Sequence, residues 1–269
     1  GWMMRERTHT TLGMVIAITG ALLGILGTLM LFTRWYEPVM AAELAAGRED
    51  EKLIVQYIFP ALSDIGVLAG VLWAVAAYGF GTRRSWAWSV GIIANVMALQ
   101  SSFFPMIPPV TRDLPPITAP IFIPNLIFFV LMLRVVRQLD WHILIVGLLS
   151  GIAMVLSFMN GVASTDKMIV HDGAAIFVAV QRLNWLAAVG WGVFTVGLIL
   201  QRGPWVRILG LGAGLLELTA GLPLGVVTAI EAGRFSMFLP APLLSLALLL
   251  ALLFYGSRWF YASPGAATA

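Results

Sequence analysis

Long apolar stretches separated by short polar breaks run the length of the chain. Eight are long enough, or nearly so, to span: roughly 11–33, 57–80, 86–104, 119–136, 141–160, 175–200, 204–229 and 236–259. A bilayer crossing takes about 20 helical residues. The pattern therefore predicts an all-α integral membrane protein of about eight transmembrane helices. The fourth stretch is short and adjoins a proline-rich segment, 105–118. That segment is expected to be extended or turning, partly polyproline II, and to serve as a stiff connector or as a cover. The polar stretch 34–56 is expected to carry a short surface helix with Met40 and Leu44 inward, followed by a solvated charge run.

Internal correspondences suggest a duplication. Asp64 with Gly70 matches Asn184 with Gly190, Trp86 matches Trp205, and Pro105 with Pro124 matches Pro223 with Pro242, each pair at equal spacing. The expectation is two tandem four-helix repeats, 1–138 and 139–269. Four spans return the chain to its starting side, so both repeats have the same orientation, related by an axis along the membrane normal.

Composition supports the membrane reading. Hydrophobic residues make up 60% of the chain and charged residues 11%, against about 25% charged in soluble domains. Arg83, Arg84, Arg134, Arg137 and Arg207 gather at one set of span ends with Trp86, Trp88, Trp141 and Trp205, while Glu37, Glu43, Glu49, Asp50 and Glu51 lie in the opposite loops. The positive-inside rule then makes both termini cytoplasmic, in a bacterial-type plasma membrane. The net charge of +3 is spread over short loops, which argues against nucleic acid.

Candidate chemistry is sparse. There are no cysteines, and His9, His142 and His171 lie far apart, so no metal site is predicted. No HExxH, GxSxG or Walker A pattern occurs, Lys52 and Lys167 fall in loops, and no cofactor can be named. Three charges lie well inside spans: Asp64, Arg182 and Glu217. Arg182 is about 12 Å from its span end at 1.5 Å per residue. A charge at that depth costs about 3 kcal/mol unless it finds a partner or water.

With Asn184, these three charges are expected either to line a polar cavity between the repeats or to form a structural ion pair, Arg182 with Asp64 or Glu217. Asn95 and Ser102 share a face of the third span, and Asn125 follows Pro124. They are secondary polar candidates, expected mainly to hydrogen-bond between helices. Three functions follow: a binder or transporter of a small molecule or lipid, a non-catalytic accessory subunit of a larger membrane complex, or an intramembrane enzyme acting on lipid or isoprenoid. The expected partners are the bilayer, a small-molecule or lipid ligand, and membrane proteins or a second copy of the chain.

Overall fold

The computed structural model describes residues 2–201 and 203–261. Every regular element among them is helical. Seven helices are long and apolar enough to cross a membrane, and a shorter apolar helix covers Pro240–Gly256. The protein is an all-α integral membrane protein. The chain divides into two compact units, Gly1–Leu144 and Ile145–Ala269.

The first unit begins with one long helix. α1 (Trp2–Leu22) passes through a π-helical turn, Leu23–Gly27, into α2 (Thr28–Ala45). α3 (Glu49–Gly81) returns alongside it. The two helices touch backbone to backbone: a Cβ built on Gly24 would lie 2.5 Å from Gly70 Cα. Farther along the same seam Gly20 lies against Trp73, which is fully buried. Glycines here leave room for a neighbour's backbone or indole, so dispersion contacts replace the hydrophobic drive that lipid cannot supply.

No separate surface helix forms within 34–56. α2 runs on to Ala45, Gly47 turns the chain at φ +71°, and α3 starts at once. Two features favour this over the expected surface helix. The segment is rich in helix formers, and three acids, Glu49, Asp50 and Glu51, open α3 where the helix dipole favours negative charge. The buried side chain near the end of α2 is Glu43, while Leu44 is exposed.

α4 (Ala87–Phe103) follows, then a 3₁₀ turn, Phe104–Met106, and a single helical turn, α5 (Ile107–Val110). The proline-rich segment is therefore partly helical, where extended chain was expected. Proline costs most in a helix interior and least in a first turn, and a one-turn helix has nothing beyond its first turn. Pro108 and Pro109 are buried.

α6 (Ala119–Leu131) continues into a π turn, Met132–Val136. Asn95 on α4 donates from Nδ2 to the Asn125 carbonyl at 2.9 Å, and Asn125 donates to the Ile121 carbonyl at 2.9 Å. Both asparagines are buried and tie α4 to α6. Asn95→Ala should lower stability by about 1 kcal/mol, as for interhelical hydrogen bonds in other membrane proteins. A downshifted midpoint on SDS titration would record it.

α7 (Trp141–Val170) carries the chain into the second unit, which continues with α8 (Ala175–Ile199), α9 (Trp205–Ala232) and α10 (Pro240–Tyr261). Asp172 and Gly173, both at positive φ, make the α7–α8 turn. Trp191 is fully buried and donates from Nε1 to Ser245 Oγ at 3.1 Å. Ser150 and Thr195 share a hydrogen bond of 2.8 Å between α7 and α8. Gly190 faces Ala213, and Gly197 faces Val206. These contacts fix an antiparallel α8–α9 register.

Candidate functional site

The polar core of the second unit centres on Glu217. Its side chain is 0% exposed. Asn160 on α7 donates from Nδ2 to Glu217 Oε1 at 3.1 Å and to the Phe238 carbonyl, just before α10, at 3.0 Å. One amide thus joins α7, α9 and the approach to α10. The Ser157 hydroxyl, one turn away on α7, lies beside the carboxyl but outside hydrogen-bond geometry. Glu217 Oε2 has no partner within this unit's described residues. Gly221, one turn on, is what makes space for the carboxyl, since a Cβ there would overlap Oε1.

Asn184 joins the same layer. It is fully buried, donates from Nδ2 to the Val180 carbonyl at 2.9 Å, and leaves Oδ1 unpartnered. Gly161 faces Trp185, and Gln181 hydrogen-bonds Thr165, which sets the α7–α8 register. With the α8–α9 register above, Ser157, Asn160, Asn184 and Glu217 fall within about one helical turn, roughly 5 Å, of a common level. Buried polar atoms left unpaired are uncommon in folded proteins and call for an explanation.

Arg182 does not belong to this layer. It is exposed on α8, on an open surface with Ala175, Val178, Ala179 and Leu183. It makes no ion pair with Glu217, so the Arg182–Glu217 expectation is corrected. On a 3.6-residue helix, Arg182 and Asn184 point some 200° apart, and the packing of α8 buries only the asparagine. Asp64 is likewise exposed, on α3 of the first unit.

The first unit holds a buried ion pair between residues of the two stretches 34–56 and 105–118. Glu43 is 0% exposed, and its Oε2 receives Arg112 Nε at 2.8 Å and Nη2 at 2.7 Å. Arg112 also lies 3.6 Å from Glu51, which pairs in turn with Arg48. Arg112 follows α5, so the pair clasps the proline-rich segment onto the end of α2. Nothing local in either loop marks this pairing, because its partners are 69 residues apart.

The first unit also holds a cavity of about 30 Å³ lined by Thr28, Tyr36, Ser63, Ser101, Ser102 and Thr118, among apolar neighbours. Ser101 and Ser102 donate to the Ala98 carbonyl, and Thr118 donates to the Ser102 carbonyl. These three hydroxyls have spent their hydrogens and turn only acceptor lone pairs inward. The space suits about one water molecule.

No family model, curated protein or solved structure matches this chain.

Proposed function

We propose that the protein binds a small molecule or lipid within the membrane and acts as a binder or transporter, with Glu217 as the intramembrane anchor. The observation that carries this reading is a fully buried carboxyl that receives one amide hydrogen bond and has a second oxygen without a partner in its unit. An ionisable side chain inside a span is expensive, and such residues mark substrate and ion pathways by default. Two further acceptors near the same level, Asn184 Oδ1 and the Ser157 hydroxyl, suit a head group that offers hydrogen-bond donors or positive charge. Both termini lie in the cytoplasm in this reading, which rests on the arginine distribution.

The test compares nanodiscs of phosphatidylethanolamine, whose ammonium donates hydrogen bonds, with nanodiscs of phosphatidylcholine, whose quaternary amine does not. Native mass spectrometry should find a retained adduct, a lipid or another molecule carried from the cell. Glu217→Gln should reduce its occupancy about tenfold, the worth of one hydrogen bond to a charged group. Glutamine keeps the side chain's size and its acceptor for Asn160, so folding should survive. An adduct unchanged in Glu217→Gln, or none in either lipid, would count against the reading.

A further inference from the structure

The exposed faces of α3 and α8 carry the same pattern. On α3 the exposed positions include Ala61, Asp64, Leu68, Val71 and Val75. The spacing alternates three and four residues, the heptad rhythm of a helix-packing seam. On α8 they include Ala179, Arg182, Leu186, Val189 and Val193, each 118 positions after its counterpart, as 182 is after 64. Residue types agree at every step except one, where an acid on α3 becomes a base on α8. On the buried faces Trp73 and Trp191 keep the same offset, and both are fully buried.

The depths also agree. Asp64 lies 17 residues before the end of α3 at Gly81, and Arg182 lies 17 residues before the end of α8 at Ile199. Each is therefore about 25 Å along its helix from that end. Counted along the sequence, α3 is the second span and α8 the sixth, so the span order expects both to run in the same direction. Two exposed seams thus match in rhythm, depth, direction and side-chain size, and are opposite in charge. A carboxylate or guanidinium facing lipid is costly, and such side chains pair with one another where they can. Alanine one turn before each charge permits close approach of two helices.

We infer that these seams are an interface between copies of this chain: α3 of one molecule packs in register against α8 of another, and Asp64 pairs with Arg182 across it. The proposal stands on exposure, spacing and charge complementarity, and does not rest on the reading of Glu217. The apolar steps would interdigitate, and the single charged step would fix register and partner. A polar group in an otherwise apolar seam does the same in coiled coils.

The natural chain has no cysteine, so disulfide trapping can be done without background. One chain carries Ala61→Cys and a second, differently tagged chain carries Ala179→Cys, and the two are reconstituted together in vesicles and oxidised. A cross-linked product of both tags is expected. Leu215→Cys, exposed on α9, paired with Ala179→Cys should give none. Asp64→Arg in the first chain alone should abolish the product, and adding Arg182→Asp to the second should restore it.

Three results would overturn the interface. The first is absence of the two-tag product. The second is equal trapping with Leu215→Cys, which would mean random collision. The third is undiminished trapping with Asp64→Arg alone, or failure of the charge swap to restore trapping. A single chain bearing both Ala61→Cys and Ala179→Cys should stay uncross-linked at monomer mass when reconstituted at high dilution. Closure within that chain would equally overturn the assignment to a second copy.

Discussion

Arg112→Met should destabilise the first unit by about 3 kcal/mol. Removing one partner of a buried pair typically costs about 3–5 kcal/mol, because the remaining charge stays desolvated. The low end applies here because Arg112 is 20% exposed, whereas Glu43 has no contact with solvent. Glu43 Oε1 already lacks a hydrogen-bond partner, so losing Arg112 would strip the carboxylate of both its short bonds. The double variant Glu43→Met/Arg112→Met should recover most of the loss, since a pair of apolar side chains of similar size can replace a buried ion pair at little cost. SDS titration of all three variants, followed by tryptophan fluorescence, would measure this. A loss below about 0.5 kcal/mol in Arg112→Met would place the pair among ordinary surface salt bridges.

The fold class was legible because a membrane helix is written in consecutive residues. Length and apolarity of each run suffice, and seven of the eight expected spans are helices long and apolar enough to cross, the eighth being shorter. What lay outside the runs was harder to read. The stretch 34–56 looked like a polar loop because Glu43, Glu49, Asp50 and Glu51 are charged. Two of them, Glu43 and Glu51, meet Arg112, which sits far along the chain.

The polar candidates divide by helix face. Asn95, Asn125, Asn184 and Glu217 are buried, whereas Asp64 and Arg182 are exposed. In helices this apolar, the residues around each charge give no amphipathic contrast to show which way it points. The sequence also offers a second register for the expected α3–α8 correspondence. Matching Gly70 with Gly190 set Asp64 against Asn184, but glycine is frequent in membrane helices and aligns easily by chance. The buried indoles Trp73 and Trp191 move the register by two residues and set Asp64 against Arg182. Asn160 reads as one more interhelical polar residue until the fold brings Glu217 and the Phe238 carbonyl to its amide.

Gly70→Ala should be among the most damaging single-methyl changes in the protein. A Cβ there would lie 2.6 Å from Ile25 N and 2.7 Å from Gly24 C, both backbone atoms of the partner helix. Neither can rotate away, so α1 and α3 must separate along a seam that also seats Trp73 against Gly20. Overpacking typically costs about 1–3 kcal/mol, and a backbone clash belongs at the top of that range. Two comparisons make the figure interpretable. Gly66→Ala meets Thr28 Oγ1 at 3.0 Å and Ser101 Oγ at 3.2 Å, side-chain atoms that can yield, so its cost should be under about 1 kcal/mol. Gly151→Ala meets nothing within 4 Å in mid-helix and should stabilise by about 0.5–1 kcal/mol through the lower chain entropy of alanine. The expected order of SDS-titration midpoints is therefore Gly151→Ala above the natural chain, Gly66→Ala slightly below it, and Gly70→Ala far below. A Gly70→Ala midpoint equal to that of Gly66→Ala would mean that the helices part without penalty, and that the backbone contact at Gly24 does not hold the first unit together.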